Sequence, residues 1–474
     1  MKRTGILSRT RNAFRALTRA FSGYDITGGS ARWPAAYALH SPISQQLAAG
    51  RLASRKVSHQ SQNNSLIASI IQHAVTAIVA DGPTVRAAHP DPDTNAHLQR
   101  VWNAFFQDCS VEGGMSLGGY LSRVARGFFV DGENFTRLVS DPVSMQLKLQ
   151  MLTADQVDSS KSVPALGLVG NAPMIMAGVE FDGDGRRVAF WVLPTPPDAP
   201  WASVAPPVRI SALDVCHVYE PHFPGVPRGI SPLTSVAPLA MELDNCIDAA
   251  VVKLRTTCLV GMVVRDPNGE MAFDESTDPA SLYLEPGATL RLPPGADVSF
   301  PPTSEMNTVP EVLSHIERLI CAGAGVPAFM ATGDFGAINY SAGKLGLATF
   351  QRRVKAIQQN HIVAQLLTPI WDRLVLLEVL SGRMRAPDYE TNPERYGASF
   401  LFPGWPAIDE LKKAKADTLA VAAKLRSRQE IISEGGRDPA DVDAEIENDP
   451  FAADDLSASA GGIASQNETE NENA

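Results

Sequence analysis

The stretch from Thr308 to Gly382 constrains the fold of this chain more than any other. Its first part, Thr308–Ala322 (TVPEVLSHIERLICA), carries Val312, Ile316, Leu319 and Ile320 at helical spacing, with Thr308 placed as a cap. Gly323, Gly325 and Pro327 read as its stop. The next segment, 328–342, reads as a loop with Gly333, Gly336 and Asn339, and its only charge is Asp334. A second helical pattern starts near Gly343 and runs to about Leu380. At ~1.5 Å per residue it would span roughly 55 Å. A helix of that length needs partners along its whole course.

Those partners exist in principle, because 474 residues at 44% hydrophobic and 20% charged composition suffice for several domains with a buried core. The net charge of −11 argues against a protein that coats nucleic acid, which takes clustered cations. It is compatible with DNA passing through a weakly sticking bore. Cys109, Cys216, Cys246, Cys258 and Cys321 are scattered, so neither a zinc site nor a disulfide framework is indicated. The most apolar window, 361–380, is interrupted by Pro369, Asp372, Arg373 and Glu378, so no membrane span is expected. The basic, amphipathic N-terminus lacks the continuous apolar region of a secretory signal.

Along the chain, residues 1–60 hold ten Lys and Arg against Asp25 alone, a basic arm, whereas no Lys or Arg follows Arg437. Helices are expected at 64–80, 97–108 and 120–130, with an apolar stripe of Leu66, Ile70, Ile71, Val75 and Ile78 in the first. Strand patterns follow at 135–138, 147–152, 179–181, 188–193 and 215–219, and the turn Asp182-Gly183-Asp184-Gly185 explains its paired acids without a metal. Pro232 is expected to open a helix to about Thr257, with Pro238 near its first turns and Leu239, Leu243, Ile247, Val251 and Leu254 on one face. Short strands at 259–264, 282–284, 290–292 and 298–300 lie between Pro/Gly turns. Beyond a break near Pro369, a strand is expected at 399–402 and helices at 407–425, 428–433 and 439–447, with Ser427 and Asp438 as N-caps.

A helix ending in Gly325-Val326-Pro327, a loop with Asn339-Tyr340-Ser341 and a long helix entered at Lys344 together resemble the lambda-type portal proteins of tailed bacteriophages. So do Gly132-Glu133, the acids of 149–158, the strand Gly185–Trp191, and the C-terminal set Asp409–Asp417 and Ser427–Ile446, all in the same order. The resemblance covers roughly Leu66 to Glu447. It implies an α+β portal fold with a wing, a two-helix stem, a small β-rich clip, a tunnel loop, a long kinked wing helix and a helical C-terminal crown region. The corresponding division is a basic arm at 1–60, wing at 61–230, stem helix at 231–257, clip at 258–307 and second stem helix at 308–325. The tunnel loop is then 326–342, the long helix and wing return 343–405, the crown-like region 406–447 and a disordered acidic tail 448–474.

The resemblance further implies a closed homo-oligomeric ring, dodecameric in the family pattern, at the unique capsid vertex of a virion assembled in the host bacterial cytoplasm. Double-stranded DNA would pass through it without sequence specificity. Terminase, then head-completion and adaptor proteins, would dock on it, and capsid or scaffolding protein would surround it. No enzyme, cofactor, metal or membrane is implied. Gly333, Asp334, Gly336, Asn339, Tyr340 and Lys344 are the residues expected to face DNA. A lysine in a first turn is commonly only solvated, and that reading of Lys344 stands beside the phosphate-facing one.

Two competing chemistries fit the residues poorly. The segment 336–344 resembles a phosphate-binding loop, but its first Gly would fall at Ile338 and Lys344 is followed by Leu345, so the magnesium hydroxyl is missing. Asn339–Gly343 resembles a nucleophile elbow without the preceding strand. A nucleotide-dependent packaging motor is therefore the weaker alternative, with a non-ring capsid or adaptor protein as the third. His361, Phe350 and Trp371 read as helix and core residues.

Overall fold

The computed structural model describes residues 42–163, 173–202, 205–259, 263–265, 297–299, 309–336, 338–407 and 409–449. They fall into two compact units, one made of the described residues up to Arg55 and from Asp131 to Ser231, the other of those from Lys56 to Val130 and from Pro232 onward. The first helix, α1 (Pro42–Asn63), contributes to both. Residues 42–60 of the expected basic arm are helical. Arg51 pairs with Asp155 at 2.8 Å, and Ser54 donates to the Asp131 carbonyl at 3.0 Å, so this end of the arm is held by acids and backbone of its own unit. Residues 1–41 lie outside the described residues.

Helix α2 (Ser65–Val79) is N-capped by Asn64, whose side chain accepts from the Ile67 N–H at 2.8 Å. Its buried face is Ile67, Ile70, Ile71, Ala74, Ile78 and Val79; Leu66 and Val75 of the expected stripe are only half-buried. Strand β1 (Thr84–Ala87) follows, then α3 (Pro92–Gln107), capped by Asp91 with Pro92 in its first turn, and α4 (Leu117–Val130). The β1 strand has no sequence signal beyond one buried residue, Val85, and exists through its partner much later in the chain.

The other unit holds two antiparallel sheets. Strands β2 (Glu133–Ser140) and β3 (Leu147–Leu152) are followed by β4 (Met174–Met176), β5 (Val179–Phe181), β6 (Arg187–Val192), β7 (Val208–Ser211) and β8 (Val215–Tyr219). The sheet orders are β3-β2-β8 and β4-β5-β6-β7. Phe135, Leu152, Val157, Val179, Phe190, Val192 and Val215 form the core between the inner residues of these strands. At the β5–β6 turn Asp182 Oδ1 accepts from the backbone N–H of Asp184 and of Arg186, and Gly185 is left-handed (φ 79°). That is turn chemistry, as the sequence suggested. The edge strands β4 and β7 escaped the sequence reading because they are short and only partly buried, which erases the alternation.

Helix α5 spans Ala237–Leu259, five residues later than Pro232 suggested. Residues 232–236 form turns, with the N–H groups of Val236 and Ala237 both on the Leu233 carbonyl. Pro238 then sits in the first turn, where its missing N–H has no cost. Leu259 is helical rather than strand. Of the expected clip, the described residues show β9 (Val263–Arg265) paired antiparallel with β10 (Asp297–Ser299); the strands expected at 282–284 and 290–292 lie outside them.

Helix α6 (Val309–Ala324) runs through Gly323, which does not stop it. A Cβ there would lie 2.4 Å from Val236 Cγ1, so this glycine allows close packing. The stop is Gly325 (φ 71°), with Val326 N–H reaching back to the Cys321 carbonyl. After the short helix α7 (Ala328–Thr332) comes α8 (Tyr340–Ile357), continuous with a π-helical segment, Gln358–Leu367, and with α9 (Thr368–Leu380). The long helix is thus not broken at Pro369. The turns ahead of the proline are widened, with Thr368 N–H reaching five residues back to Val363, and Pro369 falls in the first turn of α9. Trp371 is buried and donates to the Tyr396 carbonyl at 2.7 Å.

Strand β11 (Ala398–Leu401) pairs antiparallel with β1, Val85 opposite Phe400. The chain ends in three capped helices, α10 (Glu410–Ala422), α11 (Arg428–Glu434) and α12 (Pro439–Asn448), with Asp409, Ser427 and Asp438 as their N-caps. Among the described residues no helix is long and apolar enough to cross a membrane.

Candidate functional site

The six loop residues lie in one segment between α7 and the second turn of α8, with different local roles. Gly333 closes α7 in the left-handed region (φ 72°), its N–H on the Phe329 carbonyl. Asp334 Oδ1 accepts from Gly336 N–H at 3.0 Å, a side-chain turn that stiffens the tip. Gly336 does not use a positive φ, so the special freedom expected of it is not required. Asn339 is no mobile loop residue either: in extended conformation (φ −80°, ψ 158°) it caps α8 by accepting from Ala342 N–H at 2.8 Å. Tyr340 is therefore the first helical residue, 58% exposed, and Lys344 is the fifth rather than part of a first turn.

Lys344 is exposed, and its charge helps to hold the Asp409 carboxyl below its usual range, after the larger effects of the Lys412 side chain and N–H. The tip thus presents the exposed hydroxyls of Tyr340 and Ser341, the Lys344 ammonium and the Asp334 carboxylate. Ser341 and Lys344 lie inside α8, and α7 precedes them, so neither a strand-borne elbow nor a phosphate cradle is formed. Among the described residues no group of His, Cys, Asp and Glu is arranged to hold a metal.

A second constellation, in the sheet-bearing unit, was missed in the sequence although its residues sit in Gly132-Glu133 and Pro227-Arg228-Gly229. Glu133, fully buried, accepts from Arg228 Nη2 at 2.7 Å, Arg228 Nε at 2.9 Å, Gly229 N–H at 2.9 Å and His217 at 3.1 Å. Arg228 spends its remaining donors on the carbonyls of Ala154, Val157 and Ala177. Burial opposes the charge on Glu133, but the guanidinium and the hydrogen bonds outweigh it and hold the carboxyl well below the carboxylate range.

His217 lies stacked between Phe135 and Tyr219, ring centroids 4.2 and 4.3 Å away, with Nδ1 unpartnered. Burial pushes its pKa down to about 4 against the pull of Glu133, so the ring is neutral and donates from Nε2. Nearby, burial raises Asp131 to about 6 despite Arg51. Gly132 (φ 82°) and Gly229 make the lock possible: a Cβ on Gly132 would lie 2.1 Å from the Ile230 carbonyl carbon, and one on Gly229 would lie 2.1 Å from the Gly132 oxygen. Apart from His217 Nδ1, the cluster makes its hydrogen bonds within its own unit, and its three side chains are buried. It is structural.

A third feature concerns α5 and α6, which pack on each other. Leu243 is buried, but farther along α5 the apolar face emerges: Ile247 is 37%, Val251 39% and Leu254 49% exposed. On α6, Val312 is 56% and Leu319 48% exposed.

Residues 31–358 match the family described as phage portal protein, lambda family. The chain belongs to that family and is a structural component of the capsid-vertex channel. Among solved structures it is similar to a chain in the neck of a native gene transfer agent particle computed with C12 symmetry, at 15% identity over 81% of this chain and 98% of that one, TM-score 0.48. Another is from the neck of an empty gene transfer agent particle computed with C6 symmetry, at 15% identity over 85% and 95%, TM-score 0.48. An HK97-family phage portal protein from Corynebacterium diphtheriae is similar at 13% identity over 64% and 88%, TM-score 0.34. No curated protein matches.

Proposed function

We propose that this portal protein works as a closed ring of identical subunits, dodecameric in the family pattern, with α5 and α6 as the stem. The observation that carries this is the emergence of their apolar faces into solvent: among the described residues Ile247, Val251, Leu254, Val312 and Leu319 are 37% to 56% exposed. Burying such surface recovers about 25 cal/mol per Å². Neighbouring copies in a head-to-tail cyclic contact supply the cover. The ring sits at one vertex of a virion assembled in the bacterial cytoplasm, held by capsid or scaffolding protein. The clip, 258–307, docks terminase and later head-completion and adaptor proteins, and the protein itself hydrolyses nothing.

In this reading residues 326–342 form the tunnel loop. Each copy of Lys344 and Tyr340 recurs around the bore, and one modest charge becomes a circular electrostatic feature that guides duplex DNA without gripping it. The test is particle production with Lys344→Glu. Rings should form normally, while DNA packaged or retained per particle falls severalfold. Full packaging by Lys344→Glu together with Tyr340→Ala would remove the loop from the DNA path. Replacement of the clip by a short linker should leave soluble rings and abolish packaging.

A further inference from the structure

The C-terminal helices carry two faces that match each other and that the described residues leave largely exposed. None of the residues of α10 is buried. Leu411, Lys412, Lys415 and Leu419 recur at helical spacing on one of its faces, Leu411 being 68% and Leu419 69% exposed. On α12, Asp441, Val442, Glu445 and Ile446 share one face by the same spacing; Ile446 is 49% exposed and Val442 half-buried. Each face combines two apolar residues with two charges, cationic on α10 and anionic on α12. Within the chain Lys412 meets the half-buried Asp409, and Glu445 meets Arg437 at exposed positions. Lys415 and Asp441 are exposed and take part in none of the chain's described ion pairs.

We infer that α10 of one subunit docks on α12 of its neighbour, forming a second intersubunit belt remote in sequence from the stem. The occupant is a second copy of this chain, because both halves of the complementary pair lie on one molecule and a foreign partner would need only one. Because the two faces differ, the contact is head-to-tail, the kind that generates a ring rather than a two-fold dimer. A helix with no buried residue gains little from its own fold, so the belt also gives α10 the apolar cover it lacks. The inference rests on the ring reading above.

Two charge reversals test it, Lys415→Asp and Asp441→Lys, prepared as separate full-length chains. Each alone places like charges across every α10–α12 contact and should raise the subunit concentration for half-assembly roughly three- to tenfold, measured by light scattering. Mixed in equal amounts, the two variants can alternate. At one contact the aspartate introduced at position 415 then faces the lysine introduced at position 441, and at the next the unmodified Lys415 faces the unmodified Asp441. Assembly of the mixture should return to within about twofold of the unmodified chain. A contact inside one subunit cannot be rescued by mixing, only by both changes on one chain. Single variants that assemble as well as the unmodified chain, or a mixture no better than its components, would overturn the inference while leaving the ring intact. An unmodified chain that forms no ring removes both.

Discussion

The buried lock at Gly132 and Gly229 and the exposed tip at Gly333 and Gly336 are both built on paired glycines, for opposite physical reasons. In the lock the backbones approach so closely that any Cβ would overlap a peptide group. At Gly333 a Cβ would meet nothing within 4 Å; only the left-handed backbone asks for glycine there. Gly336 asks for neither, since its nearest would-be neighbour is Asp334 Oδ1 at 3.4 Å. The glycines of the lock fix geometry. Those of the tip permit it, and a glycine in the sequence does not reveal which.

Alanine substitution separates the two cases. Gly132→Ala should cost more than about 4 kcal/mol, enough to prevent folding of the sheet-bearing unit, because strain and backbone overlap add. Loss of soluble expression or of a cooperative urea transition checks it; a transition like the wild type would show that the approach can relax. Next in size is Arg228→Met, which strands the Glu133 carboxylate in the core and should cost roughly 3–5 kcal/mol by urea unfolding. Little loss would mean that Glu133 simply takes up a proton.

Acid sharpens the same region. His217 is held neutral to about 4, below its unfolded value, so the unfolded chain gains protons first as pH falls from 6.5 and stability is lost. Asp131, raised to about 6, works the other way: the folded chain takes up its proton between 6 and 3.8 and gains stability. The two oppose each other in the wild type. Asp131→Asn should therefore lose stability more steeply between pH 6.5 and 5 than the unmodified chain, measured by urea midpoints. An unchanged slope would mean that Asp131 does not titrate as its surroundings dictate. The smallest effects belong to the tip, where Gly333→Ala should cost about 1 kcal/mol and Gly336→Ala less than about 0.5 kcal/mol. Equal, large losses at both would erase the contrast.

How much of this was legible in the sequence depended on whether the cause was local. The caps at Ser427 and Asp438 were readable, because a capping side chain bonds its own first turn. So were β3, β5 and β8, whose bounds follow from local apolar patterning. Strand β1 was not, since its hydrogen bonds go to β11 more than three hundred residues away. The continuity of helix through Pro369 was hidden because the widened turns upstream have no residue signature. Gly323 looked like a stop and is a packing contact with Val236, a distinction only the fold makes. In the candidate site, Lys344 and Tyr340 were singled out by resemblance alone, while Asn339 had a plainer role as a cap that its type and position could have disclosed. The Glu133–Arg228–His217 lock left only fragments in the sequence, Gly-Glu and Pro-Arg-Gly, some ninety residues apart.

Electron microscopy of the purified chain shows whether neighbouring copies cover the exposed faces of α5 and α6 in a closed ring. Uniform rings with a central opening are expected, as is their loss when Ile247, Val251 and Leu254 are replaced together by Ser while the subunit stays folded. Monomers alone across a wide range of protein and salt concentrations, or two-fold dimers that never close into rings, would contradict it.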